Sequence, residues 1–177
     1  MRRGFTLVEL LIALAVVAIL LNVAISGFGS VIQASRAYHA RAALLAVLTQ
    51  ARTRAAYDEV DVGLCPSASG ERCENGFRWE GGWVAFADMN GSDRLDAGDV
   101  VLSRQLALGA GVRIATSSGR RHLEFQPNGT NAGSNATLTI CDRRGPAKAT
   151  AIAMGNAGTY REVKPSAAAI AVACAKS

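Results

Sequence analysis

Apolar positions along this chain fall into three regimes. From Phe5 to Ile25 they run almost unbroken, with only Thr6, Glu9 and Asn22 polar and no further charge before Arg36. As a helix, a run of this length spans about 31 Å, which matches the hydrocarbon thickness of a bilayer. A cleavable secretory signal would be shorter and would end at a small-residue cleavage site. Here the run leads instead through Ser-Gly-Phe-Gly into more helix-compatible sequence, so an uncleaved anchor is the simpler reading. Arg2 and Arg3 would hold its start on the cytoplasmic side.

From Ser30 the pattern turns amphipathic. Val31, Ala34, Tyr38, Leu45, Leu48 and Ala55 recur at separations of three, four or seven, with Arg36, His39, Gln50 and Arg54 interleaved. This predicts a helix continuing to about residue 57, with that stripe packed on a globular head. Gly27 and Gly29 lie between the two halves. Each costs about 1 kcal/mol against alanine in a helix interior, so a bend or a melted turn is expected there.

After Tyr57 the period shortens to two. Strands are predicted at Val60 to Leu64, Trp83 to Ala87, Val100 to Leu106, Val112 to Ala115, His122 to Gln126, Ala136 to Cys141, Thr150 to Met154 and Thr159 to Val163. Glycine-containing turns such as Glu80-Gly81-Gly82 and Asn128-Gly129-Thr130 separate them. A helical spine followed by a β-rich head is an α+β arrangement.

Composition narrows the chemistry. The chain has 177 residues, enough for one domain and an appendage. Its net charge of +5 is too mild to mark a nucleic-acid binder by itself. Cys65, Cys73, Cys141 and Cys174 form no Cys-x-x-Cys pair, and His39 and His122 stand far apart, which argues against zinc and for two disulfides in an oxidising compartment. Cys65 with Cys73 and Cys141 with Cys174 are the natural local pairs, although sequence alone leaves three connectivities open. The chain carries no phosphate loop, His-Glu-x-x-His helix or nucleophile elbow, so no enzymatic activity, cofactor or small-molecule substrate is expected.

One polar loop stands out. Asp88, Asn90, Ser92, Asp96 and Asp99 occupy positions 1, 3, 5, 9 and 12 of a twelve-residue stretch, the ligand spacing of a calcium loop. Against that reading, Asp93 stands where the glycine of such loops belongs, Asp99 is shorter than the usual glutamate, and strands flank the stretch. A solvated hairpin loop is the main expectation, with calcium as its alternative.

Glu9 is the residue that a plain anchor leaves unexplained, because a carboxylate in an apolar span costs about 2.5 to 3.5 kcal/mol on insertion scales. The stretch Arg3-Gly4-Phe5-Thr6-Leu7-Val8-Glu9-Leu10 resembles the leader junction of type IV pilins and type II secretion pseudopilins. The resemblance implies a leader of residues 1–4 cut after Gly4 by a prepilin peptidase, N-methylation of Phe5, and Glu9 as the assembly carboxylate. Residues 5–29 would form the transmembrane and assembly helix, 30–57 the amphipathic helix and 58–177 the head. Glu9 of one subunit could then meet the Phe5 amine of a neighbour, each offsetting the other's burial.

The head resembles the GspH/FimT group of pilin-like proteins. The resemblance rests on the Cys65-Pro66 turn with Cys73, on Gly82-Trp83-Val84-Ala85-Phe86-Ala87-Asp88, on Phe125-Gln126-Pro127-Asn128-Gly129-Thr130, and on Leu138-Thr139-Ile140-Cys141-Asp142-Arg143-Arg144-Gly145. It implies a pilin-like fold and a minor type IV pilin that initiates or tips a pilus beside other minor and major pilins. Such a protein starts as a single-pass inner-membrane protein with a periplasmic head and reaches the pilus tip or cell surface after assembly. A minor pseudopilin of type II secretion is one alternative. A DNA-binding minor pilin for DNA uptake is another, with Arg143, Arg144, Arg161 and Lys164 as candidate contacts. Relatives in DNA uptake use a Gly-Arg-x-Arg stretch, to which Gly158-Thr159-Tyr160-Arg161 corresponds, without the first arginine and with Glu162 following.

Overall fold

Leucine and alanine favour helix without side-chain competition for the backbone, and in the computed structural model they carry one helix, α1, over Leu7–Asp58. The structure describes residues 6–117, 119–131 and 133–175, the side chains of 22–27 excepted. Thr6 caps the start of α1 by accepting from the Glu9 amide at 3.3 Å, and Glu59 ends it in the left-handed region at φ 53°. The helix passes through Gly27 and Gly29 without the melted turn that was one of the two expectations there. Each glycine weakens propagation but removes no hydrogen bond, and long helical flanks on both sides carry the ladder across.

The apolar stripe is also corrected. Ala40, Leu44, Val47, Leu48, Ala51 and Ala55 are the buried face, whereas Val31 and Tyr38 are 63% and 59% exposed and Ala34 and Leu45 only partly covered. Three of those buried positions are alanines, whose small side chains let the sheets approach the helix closely. Leu48 and Ala55 of the expected stripe are on the buried face, while Val31 and Tyr38 lie before the helix meets the sheets.

The strands are β1 (Asp61–Pro66), β2 (Gly82–Asp88), β3 (Val100–Leu106), β4 (Val112–Thr116), β5 (Leu123–Phe125), β6 (Ala136–Asp142), β7 (Thr150–Met154) and β8 (Tyr160–Val163). They form two antiparallel sheets, ordered β3-β2-β1-β5 and β4-β6-β7-β8. Both sheets pack on α1 through one core containing Leu44, Leu48, Trp79, Trp83, Phe125 and Ile140.

β2 is buried on both faces. One face meets α1, and the other is roofed by Cys65, Cys73 and Leu95 around Val84 and Phe86. Gly63 is required in β1, because a Cβ there would lie 2.4 Å from the Phe86 ring across the ladder. A single 3₁₀ turn at Pro146–Lys148 links β6 to β7. Finally α2 (Ala167–Cys174), capped by Ser166, covers the outer face of the second sheet at Ala115 and Cys141.

Candidate assembly surface

The start of α1 presents its aliphatic side chains to the outside. From Leu7 to Leu21 every residue is exposed, with Leu7 at 76% and Ile19 at 66%. Burying one such side chain elsewhere gains about 1.5–3 kcal/mol, so this stretch has a strong drive toward an apolar partner outside the subunit. Among the described residues, no helix is long and apolar enough to cross a membrane. Glu9 lies exposed in the first turn, three residues after the Thr6 cap. Thr-x-x-Glu is the spacing of a capping box, a signal legible in the sequence that the reading above passed over. The carboxylate therefore also suits the positive end of the helix dipole. Gly4 and Phe5, the expected cleavage and methylation residues, lie outside the described residues.

Of the four candidate DNA contacts, the structure groups three. β6 ends at Asp142, so Arg143 and Arg144 begin the turn into β7. Lys164 follows β8, whose Val163 pairs with Ala151 at the same end of the sheet. Arg161 stands further up the strand opposite Ala153. Arg144 is committed to Asp142, with its guanidinium 2.7 Å from a carboxylate that is 1% exposed. Burial would raise the Asp142 pKa, but the hydrogen bonds and charge of Arg144 outweigh it and hold the acid below its ordinary value.

Gly158 has a structural duty. It adopts φ +69° in the β7–β8 turn, and a Cβ there would sit 2.0 Å from the Gly129 carbonyl oxygen. Glu162 points back to α1 and pairs with Arg41 at 2.9 Å.

The loop after β2 is closed by its own amides. Asp88 Oδ1 accepts from the amides of Asn90, Gly91 and Ser92, and its Oδ2 accepts from Asp93. Asp96 accepts from the Asn90 side chain and the Gly98 amide, while Asp99 accepts from Met89 and Asp96. Hydrogen bonds from Asn90, Gly98 and Ser92 keep the Asp96 pKa low. The oxygens at the calcium-loop positions thus already serve backbone and side-chain donors. Among the described residues, no group of three or more His, Cys, Asp or Glu side chains is arranged to hold a metal ion. Asp61 and Glu124 face the same end of the head. Burial first, then Asp88 and Asp93 for Asp61 and Asp93 with Asp61 for Glu124, push both acids up.

The cysteines are joined as Cys65–Cys73 and Cys141–Cys174. The first closes the loop that roofs Val84 and Phe86, and the second ties α2 to β6. His39 lies on the exposed side of α1 edge-on to Tyr38, and His122 is exposed just before β5.

A helix with a capped acidic first turn and a bare apolar half, whose second half carries two antiparallel sheets, is the build of a pilin-class subunit. Residues 40–158 match the family described as type II transport protein GspH, and this chain belongs to that family. Residues 1–21 match the prokaryotic N-terminal methylation motif. The type IV minor pilin FimU of Pseudomonas aeruginosa shares the fold with TM-score 0.56 and 21% identity, over 75% of this chain and 88% of that one. The minor pseudopilin EpsH of the Vibrio cholerae type 2 secretion system does so with TM-score 0.52 and 15% identity, over 73% and 98%. No curated protein matches the chain in sequence.

Proposed function

We propose that this protein is a minor type IV pilin that takes part in pilus initiation or sits at the tip, acting by assembly and not by catalysis. The observation that carries the reading is the bare apolar half of α1 beginning at a capped turn with Glu9. With residues up to Ile25 included, the apolar run has the length of a membrane span. In this reading the helix is stored in the inner membrane with the head in the periplasm and then moves sideways into a filament core. The prepilin peptidase cuts after Gly4, and the methylated Phe5 amine of one subunit meets Glu9 of its neighbour. Other minor and major pilins are the partners.

Intact-mass analysis of membrane fractions tests the processing: Met1 to Gly4 should be absent and one methyl added. A mature chain that keeps Arg2 and Arg3 would defeat the proposal. Glu9→Ala should still insert, since it removes an intramembrane charge, yet fail to appear in sheared pili. Normal recovery of the variant in pili would remove Glu9 from the mechanism. The description of the family favours a second reading, a minor pseudopilin of type II secretion. Deleting the chain separates the two, since the first reading predicts lost surface pili and the second predicts retained exoproteins.

A further inference from the structure

The charges of the head are sorted along α1. Where the bare half of the helix enters the head, Arg36 donates to the Ala110 carbonyl at 2.6 Å, and Arg41 lies over the Tyr38 ring. Arg143, Arg144 and Lys148 come to the same place from the β6–β7 connection, and Lys164 from the end of β8. The carboxylates among them, Asp142 and Glu162, are already spent on Arg144 and Arg41. Among the described residues, Arg36, Arg143, Lys148 and Lys164 make no ion pair. A groove of about 470 Å³ opens here, floored by Val31, Ala34 and Tyr38 and rimmed by Arg41, Arg144 and Lys148. Asp61, Asp88, Asp93 and Glu124 crowd the opposite end, by the exit of α1 at Asp58. From Arg36 to Asp58 the helix rises about 33 Å.

We infer that this basic collar is a docking surface for the anionic phospholipid headgroups of the membrane that holds α1, seating the head upright on the bilayer before assembly. The inference rests on the membrane-anchored reading above. Three features select a lipid surface over other anions. The collar flanks the helix where its bare apolar half ends, so whatever receives that half lies directly below. Arg36 stands eleven residues beyond Ile25, about 16 Å along the helix. That is close to a headgroup layer of about 5–7 Å plus one Debye length of about 8 Å. The groove combines an apolar floor continuous with the exposed helix and a cationic rim, which suits a phosphate attached to an acyl chain. The far end, where Asp61, Asp88, Asp93 and Glu124 gather beside Arg94 and Arg121, offers the same surface no comparable cationic cluster, so attraction favours one end of the head.

Lys148 and Lys164 report on the collar in the full chain. The protein is inserted into preformed vesicles of phosphatidylcholine, with or without phosphatidylglycerol, and treated with a membrane-impermeant amine acylating reagent. Labelling at each lysine is read by peptide mass spectrometry. Each cation near an anionic surface shifts occupancy about fivefold, so Lys148 should react about fivefold more slowly on the anionic vesicles, and high salt should abolish the difference. Arg143→Gln should raise the Lys148 rate on anionic vesicles only; a merely structural role would change it on both. Equal rates on the two lipids, in a chain that still resists alkaline carbonate extraction, would overturn the docking surface and leave the anchor standing. Release by carbonate would overturn the anchor itself. Stronger protection by duplex DNA than by phosphatidylglycerol at physiological salt would overturn the lipid assignment and make the collar a nucleic-acid face.

Discussion

The two halves of α1 are one continuous aliphatic helix, yet only the second is held by its own subunit. Ala40, Leu44, Val47 and Leu48 vanish into the core, while Leu7, Leu10, Leu14 and Leu20 stay exposed. Helical propensity is similar in both, so propensity does not distinguish them; the presence of sheets to pack on does. On the proposed function, the stability of the head and the capacity to assemble are thereby placed on different residues of one element. Variants should separate the two.

The largest effect follows from deleting matched leucines. Leu48→Ala empties a fully buried site and should cost the head about 2–5 kcal/mol. Leu14→Ala in the bare half should leave the unfolding midpoint of the detergent-solubilised chain where it was. Denaturant titration of both variants checks the contrast, and an equal drop for Leu14→Ala would erase it. The disulfides come next. Loop-closure entropy gives about 4 kcal/mol for the bond spanning 33 residues and about 2.5 kcal/mol for the one spanning 8. Replacing Cys141 and Cys174 together by serine should therefore lower the midpoint more than replacing Cys65 and Cys73.

How much of this was legible depends on what each element uses to hold itself. All eight strands were readable because glycine turns punctuate short apolar runs, and β3 and β7 lie at the expected bounds. The buried face of the helix was legible only in part, at Leu48 and Ala55, because Ala40 and Ala51 bury little surface each and count only through the close approach they permit. α2 was missed outright. Ala167 to Ala173 carries no amphipathic pattern, and Cys141, which anchors it, is distant in sequence. At the candidate site, Arg143, Arg144, Arg161 and Lys164 were named as a group, but Arg161 stands apart from the other three, and the pairing of Arg144 with Asp142 depends on the strand end and has no spacing signature. Gly158 reads as part of a motif until the Gly129 carbonyl is seen against it.

A smaller effect distinguishes the two ends of the head by pH. Asp61 and Glu124 are raised in the folded state, so they bind protons more readily there than in the unfolded chain. Their contribution is unfavourable at neutral pH and fades as the pH falls through the folded pKa toward the ordinary carboxylate range. Asp142 is held low, so its contribution is present above the unfolded pKa and is lost as the pH falls through the folded one. Asp61→Asn should accordingly stabilise the head at pH 7 and do nothing at acid pH. Asp142→Asn should destabilise it at pH 7, with a deficit that shrinks on acidification. Thermal midpoints across that range give the check, and the same sign for both variants at pH 7 would refute the sorting of charge.

The smallest effect is at the seam between the basic collar and the core. Arg41 reaches Glu162 at 2.9 Å, but the Glu162 side chain is 55% exposed, so solvent screens the pair. Exposed ion pairs contribute about 0–1 kcal/mol. The stacking of Arg41 on Tyr38 is similarly open to water. Arg41→Gln should therefore shift the unfolding midpoint barely beyond error, far less than Leu48→Ala about two turns further on. What it changes is charge, because Glu162 is left without its cation inside a surface otherwise built to be positive. If the collar meets anionic lipid, the variant should weaken lipid-dependent protection of Lys148 by more than its stability loss explains, and Arg41→Lys should restore most of it. A large stability loss that lysine does not rescue would instead place Arg41 with the core.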